Sequence, residues 1–309
     1  MSSPREILRR TDIRAKKSLG QHFLSDPGLA EKIAAALDIE PDDIVLEIGP
    51  GLGALTFCLA RKAAGVWAVE KDRRMMGILK AELGAGGVDN VRLVEGDFLK
   101  FDISGLSAAE GRSLKVAGNL PYNISSQVLA RLAESRQVIS GAVLMFQKEL
   151  ARRVMAKPGT KDYGRLSVAL AYCADIRRVA RAGSKSFFPR PKVDSEVLRV
   201  DFKTPDFPAR DEIFFKSVVK AAFSSRRKTL KNALAGSHLS IEAAGAIQAL
   251  GRAGVDPVRR AETLSVEEFV RLADVLNDAA EYPAPRTGER TQKEASQSPR
   301  KNRRRHGDR

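Results

Sequence analysis

Ile44-Val45-Leu46-Glu47-Ile48-Gly49-Pro50-Gly51-Leu52-Gly53 is an apolar run that breaks abruptly into alternating glycine. A short apolar run closed by glycine reads as a buried strand, and the glycines let the chain turn sharply and let a ligand approach the backbone. Downstream, Val66–Val69, Val91–Val94, Leu114–Ala117 and Ala142–Phe146 are further apolar runs separated by helical stretches. Strands alternating with amphipathic helices predict right-handed βαβ units and an open, mostly parallel sheet, a Rossmann-like α/β fold. Ala171–Val179 and Val197–Phe202 follow each other without a clear helix between them, which predicts an antiparallel pair at one edge.

The glycine string is GxGxG and not the dinucleotide pattern GxGxxG, and Pro50 removes an N–H where a phosphate cradle needs one. Gly49 and Gly51 are therefore read as contacts to a nucleoside-type ligand. Glu70 ends the second strand, 21 positions after Gly49, where a carboxylate can take both ribose hydroxyls. Asp97 ends the third strand, where it can receive an adenine amino group. Each acid taken alone is more often a helix cap or a solvated turn. Their register at successive strand ends, with Asn119 at the fourth, points to one site at the carboxyl edge of the sheet. S-adenosylmethionine satisfies the set: ribose on Glu70, adenine on Asp97, methionine end near the glycines.

The fourth strand runs into Asn119-Leu120-Pro121-Tyr122. This tetrapeptide suits methylation of an exocyclic amino group on a nucleobase, whose nitrogen is a poor nucleophile because its lone pair is delocalised into the ring. The Asn119 side-chain oxygen and the Leu120 carbonyl can each accept one amino hydrogen and draw that nitrogen towards tetrahedral geometry, an electrostatic preorganisation. Pro121 stiffens the turn and Tyr122 offers a flat surface for a base. An Asn-Pro turn after a strand is the plainer alternative.

The 309 residues carry a formal net charge of +15 with a sequence pI of about 10.0, which points to a polyanionic partner such as nucleic acid. Glu281–Arg309 holds nine Lys/Arg against four Asp/Glu, so it supplies +5 of that excess. No apolar run reaches the ~20 residues needed to span a bilayer, and the basic N-terminus has no apolar h-region. Cys58 and Cys173 stand far apart with no CxxC spacing, as expected of buried thiols in a reducing compartment, so no metal is expected and a cytoplasmic location is.

After Thr204-Pro205-Asp206-Phe207-Pro208 the pattern becomes purely helical. Ile213–Leu234 is read as one amphipathic helix with Phe214, Val218, Ala221 and Ala222 on its apolar face. Ser265-Val266-Glu267-Glu268 is a capping box that opens a last helix to about Leu276. The expected division is a sheet domain over 1–205, a small all-α domain over 206–280 and a disordered basic tail over 281–309.

These strings resemble the small-subunit ribosomal RNA adenine N6,N6-dimethyltransferases, a family of class I S-adenosylmethionine-dependent methyltransferases. The resemblance starts at Lys16-Lys17-Ser18-Leu19-Gly20-Gln21-His22-Phe23-Leu24 and runs through Gly49-Pro50-Gly51, Val69-Glu70-Lys71-Asp72, Gly96-Asp97 and Asn119-Leu120-Pro121-Tyr122. It continues in Phe187-Phe188-Pro189-Arg190-Pro191-Lys192-Val193-Asp194-Ser195, Ala222–Asn232 and Val255–Ser265. It implies that His22 and Leu24 contact the cofactor; the family often has Asn in place of His22. It further implies that Phe187 stacks on the target base opposite Tyr122, although Phe187 read alone is core. Arg226, Arg227, Lys228 and Lys231 are the implied RNA contacts. The implied activity is N6,N6-dimethylation of adjacent adenosines in 16S rRNA within a pre-ribosomal 30S particle, by a monomer without a metal. Two alternatives stay open: a large-subunit rRNA methyltransferase, and a non-enzymatic nucleic-acid-binding factor on a retained fold.

Overall fold

The computed structural model describes residues 3–16 and 19–281. Nine strands are present among them: β1 Phe23–Leu24, β2 Ile44–Ile48, β3 Gly65–Glu70, β4 Val91–Glu95, β5 Leu114–Asn119, β6 Ile139–Gln147, β7 Ala174–Ala182, β8 Phe187–Phe188 and β9 Ser195–Phe202. Seven form one sheet in the order β4-β3-β2-β5-β6-β9-β7. The first five in that order are parallel, and β9 runs antiparallel to both β6 and β7. The expected antiparallel pair is present, with β7 at the edge. Strand order reverses between β2 and β5, and in such sheets a crevice opens there beyond the carboxyl ends.

β2 is buried along its whole length, and its side chains divide between two cores. Ile44, Leu46 and Ile48 pack with Val116, Leu106, Leu129 and Leu132 on one face, where the helices Ile103–Glu110 and Ser125–Glu134 lie. Val45 packs on the other face with Ile33, Leu59, Val143 and Met145, under the helices Pro27–Ala36 and Thr56–Ala60. Alternation of side chains along the strand makes both cores from one segment. Aspartates start three of the helices that flank the sheet: Asp26, Asp72 and Asp102 accept N–H groups from Leu29, Arg74 and Gly105.

Several elements differ from the sequence reading. Ala171 to Cys173 finish the helix Arg165–Cys173 instead of opening a strand, because Tyr172 and Cys173 turn towards a third core, shared with the C-terminal helices. Pairing of β7 with β9 begins only at Ala174 opposite Phe202. The long helix is two, Glu212–Ala222 and Leu230–Ala235. The second starts where the turn Asp256–Arg259 supplies acceptors: Leu230 N–H donates to the Arg259 carbonyl at 2.8 Å and Lys231 N–H to that of Pro257 at 3.3 Å. On the first of them Phe215, not Phe214, is the fully buried aromatic. The Ser265 capping box forms in both directions with Glu268 at 2.8 and 3.1 Å. Its helix reaches Glu281, past Leu276, and the rest of the expected basic tail lies outside the described residues.

The helical C-terminal part is joined to the sheet part by a continuous core. Tyr172 packs on Phe215 with ring centroids 4.6 Å apart, and Tyr163 packs on Phe223. Glu212 takes a 2.6 Å ion pair from Arg136 and a 3.2 Å hydrogen bond from the Tyr172 hydroxyl. Phe215→Ala should therefore cost about 3–5 kcal/mol. Denaturant unfolding followed by far-ultraviolet circular dichroism and by Trp67 fluorescence, in the sheet, should show one coincident transition shifted to lower denaturant.

Candidate active site

The turn after β2 is left-handed at Gly49, Gly51 and Gly53, with φ of 65°, 56° and 88°. A Cβ at Gly51 would lie 3.0 Å from the Phe23 ring, and one at Gly53 only 2.5 Å from Leu79. The left-handed backbone favours glycine at both positions, and a side chain there would have to displace the Phe23 ring or the end of Leu79. The turn forms one wall of a cavity at the carboxyl ends of β2, β3, β4 and β5, lined also by Glu70, Asp97, Asn119 and Tyr122 and by Leu19–Leu24.

Glu70 is oriented by main chain: one carboxylate oxygen accepts the Gly51 N–H at 3.1 Å and the other the Asp72 N–H at 2.8 Å. Burial pushes its pKa up, against these two bonds. Asp97 does serve as a cap, taking the Leu99 N–H at 3.0 Å, and it also takes the Lys71 ammonium at 2.8 Å. That ammonium holds its pKa below the usual carboxylate range. Both readings of Asp97, cap and cavity wall, hold together.

Asn119 ends β5, and its Nδ2 donates to the His22 carbonyl at 2.8 Å. Its Oδ1 has no hydrogen bond among the described residues. Tyr122 is held by its hydroxyl, 3.0 Å from Ser195 Oγ, and its ring stacks on His22 at 5.5 Å with 28° between planes. Leu120, Pro121, His22 and Leu24 also line the cavity. Leu24 reaches it through the two-stranded ribbon in which β1 pairs antiparallel with β8, Leu24 opposite Phe187 and Phe23 opposite Phe188.

Phe187 is not among the lining residues. It is 2% exposed and packs with Leu24, Leu29, Met145 and Val197, the core position that its residue type alone predicts. Arg226, Arg227 and Lys228 occupy the exposed turn between the two C-terminal helices, and Lys231 the start of the second. None of the four lines the cavity or pairs with a carboxylate among the described residues, and the Arg226 guanidinium donates to the Lys161 carbonyl.

Four residues at or beside the site were not assigned a role from the sequence. Ser195 gives no signal of its own before its partner is known. Glu47 does: it is a charged residue inside an otherwise apolar buried strand. It is 1% exposed, and its Oε2 and the Thr56 hydroxyl both lack a hydrogen-bond partner among the described residues. Burial, reinforced by the Glu70 charge, pushes the Glu47 carboxyl up to about 8. Gln21 and Asp72 complete the four: Gln21 donates to Asp72 at 3.0 Å and anchors the N-terminal segment over the cavity.

Between the ordinary value of 4.5 and about 8, folded Glu47 keeps a proton that the unfolded chain has released. Its contribution to stability is complete below that window and is lost as pH rises through it. Glu47→Gln, which cannot ionise, should gain on the natural protein as pH is raised from about 5 to about 8. Urea midpoints of both proteins across that range measure the effect.

The family description "Ribosomal RNA adenine dimethylase" matches residues 13–278. A ribosomal RNA small subunit methyltransferase A of Desulforapulum autotrophicum is 50% identical over 277 residues, 89% of this chain and 97% of that protein. The protein of the same name from Moorella thermoacetica is 45% identical over 278 residues, 87% of this chain and 95% of the other. Among solved structures, a dimethyladenosine transferase from Plasmodium falciparum superposes with a TM-score of 0.72 at 28% identity, covering 84% of this chain and 98% of its own. The 23S rRNA methyltransferase ErmE superposes with a TM-score of 0.62, also at 28% identity, over 82% of this chain and 99% of its own. A match that spans the glycine turn, the strand-end acids, the Asn119 tetrapeptide and the C-terminal helices alike places the chain in the ribosomal RNA adenine dimethylase family.

Proposed function

We propose that this protein transfers methyl groups from S-adenosylmethionine to the N6 atoms of adjacent adenosines in small-subunit rRNA, two to each, during assembly of the 30S particle. The observation that carries the reading is Asn119: its amide N–H is occupied by the His22 carbonyl, which leaves Oδ1 as the free acceptor at the cavity. An acceptor, and not a donor, is what an exocyclic amine requires. Large-subunit rRNA is the weaker alternative. The relatives at 45 and 50% identity bear the small-subunit name, whereas ErmE is 28% identical.

The cavity wall suits the cofactor. The orphaned, buried Glu47 carboxyl is matched to a cationic group such as an amino-acid ammonium, and the left-handed glycines let main chain approach it. Glu70 is positioned for ribose hydroxyls and Asp97 for an adenine amine, with Gly49, Gly51, His22 and Leu24 closing around them. Bound S-adenosylmethionine supplies an electrophilic methyl on its sulfonium.

Tyr122 then holds an extruded adenine by stacking. Asn119 Oδ1 and the Leu120 carbonyl accept its two amino hydrogens and turn the nitrogen lone pair out of conjugation with the ring. Alignment lowers the entropic part of the barrier. A methylated ammonium is acidic enough to lose its proton to water, so no side chain is assigned as base. Phe187, in the core behind β1, supports the ribbon beside the base.

We assign residues 1–205 to catalysis and 206–280 to RNA binding, with Arg226, Arg227, Lys228 and Lys231 gripping phosphates in a cytoplasmic, monomeric enzyme. Each phosphate contact adds about 0.7–0.9 to the slope of log affinity against log salt. Replacing Arg227 and Lys228 together by Ala should therefore lower that slope by about 1.5 in filter binding to small-subunit rRNA.

Incubation with labelled S-adenosylmethionine and unmodified small subunits, beside large subunits, tests the reading. Dimethyladenosine should appear in small-subunit rRNA, and Asn119→Ala should cut the rate by about 100-fold or more. Label confined to large subunits, or RNA binding without label, overturns it.

A further inference from the structure

We infer that Ser195 is a positioning residue for the acceptor base: its hydroxyl fixes the direction of the Tyr122 ring axis against the start of β9. The inference rests on the proposed adenine N6 methylation. Tyr122 lies in the turn that leaves β5, and β6 separates β5 from β9 in the sheet. The tyrosine hydroxyl therefore reaches past the end of β6 to Ser195 Oγ, 3.0 Å away.

Ser195 is a firm anchor. It is 1% exposed and stands in register between Gln147 of β6 on one side and Ala182 of β7 on the other. The Asp194 carbonyl before it accepts the Lys148 N–H at 3.0 Å. The Glu196 carboxylate after it, also buried, pairs with Arg178 at 2.9 Å. The Tyr122 side chain has no such frame of its own. Among the described residues its directed contacts are the hydroxyl bond and the stacked His22 ring, with centroids 5.5 Å apart.

These two contacts control different motions. The phenolic oxygen lies on the long axis of the ring, so a bond to it sets where that axis points and leaves rotation about the axis free. Packing against a flat neighbour sets the rotation. Without the hydroxyl bond the ring can move between side-chain rotamers. A base stacked on it would carry its amine along, away from Asn119 Oδ1 and the Leu120 carbonyl.

The bond also has a direction. Ser195 Oγ is buried and has the Tyr122 hydroxyl as its hydrogen-bond partner among the described residues, whereas Tyr122 is half-buried and lines the cavity. If Tyr122 donated, the serine proton would be left without an acceptor away from water, the costly arrangement. Ser195 therefore donates and the phenolic oxygen accepts. Burial raises the Tyr122 pKa, and the bond from Ser195 opposes that rise.

The test uses the full chain with Ser195→Ala, Ser195→Thr, Tyr122→Phe and the Ser195→Ala/Tyr122→Phe pair. Turnover and KM are measured on unmodified small subunits at saturating cofactor, cofactor Kd by calorimetry, and folding by thermal midpoint. Ser195→Ala should lower kcat about three- to tenfold, the order of one hydrogen bond. Its KM for subunits and its cofactor Kd should change less than about twofold. Ser195→Thr keeps the hydroxyl and should restore most of the rate. Tyr122→Phe keeps the stacking face and loses the same bond, so it should lower kcat by a similar factor, and adding Ser195→Ala should lower it no further. Tyr122→Phe also strands the serine hydroxyl, so the paired variant should melt higher than Tyr122→Phe alone. Additive losses overturn the inference. Unchanged kcat in folded Ser195→Ala overturns it as well, and a lower thermal midpoint beside that unchanged kcat makes the bond structural only. If the natural protein labels no adenosine, the proposed function fails first and the role of Ser195 falls with it; if it labels normally, those outcomes remove the role of Ser195 alone.

Discussion

The hydrogen bond from the Gly51 N–H to the Glu70 carboxylate, 3.1 Å long, joins the turn after β2 to the end of β3. It exists because the turn is left-handed there, which aims a main-chain N–H sideways at the neighbouring strand. From Glu70 the linkage passes to the Asp72 N–H, and Asp72 in turn caps the following helix and holds Gln21. Gln21 anchors the N-terminal segment, whose Phe23 ring covers Gly51 at the distance where a Cβ would begin to collide. The chain of contacts closes on the residue where it began. A substitution at Gly51 would disturb the strand-end acid, the helix cap and the covering segment together.

The four acids around this ring are tuned in opposite directions. Glu47 and Glu70 are raised, chiefly by burial. Asp72 is held at about 2, chiefly by its bonds from Arg74, and Asp97 is lowered by Lys71. The acids that hold architecture are thus firmly ionised and screened by their own cations. Glu47 and Glu70, both buried on the cavity wall, have no cationic side chain paired with them among the described residues. Glu70 and Asp97 each combine a structural hydrogen bond with a place on the cavity wall.

Much of this was legible in the sequence, and the part that was not has a common cause. Of the five parallel strands, β2 and β6 announce themselves because a strand buried on both faces is a nearly unbroken apolar run, whereas the edge strand β4 has no buried residue. The strand-end residues follow from the register of those runs. β1 and β8 could not be seen: each is two residues long, and each exists only through the other, across more than half the chain. The break after Ala222 was hidden for a similar reason, since the second helix starts on carbonyls contributed by Pro257 and Arg259. Tyr172 and Cys173 look like strand residues until the core that receives them has been assembled. Glu47 is the exception, because a lone acid in an apolar strand is visible without any partner.

The state of Glu47 gives ligand capture a stoichiometry. A carboxyl pushed up to about 8 is largely protonated at neutral pH, so pairing it with an ammonium group would release its proton. Under the proposed function, association with the cofactor would acidify the medium slightly. Its observed heat would then include the ionisation heat of whichever buffer takes up that proton. Two buffers of unlike ionisation enthalpy would report two different enthalpies for one binding event, and their difference would count the protons released on binding.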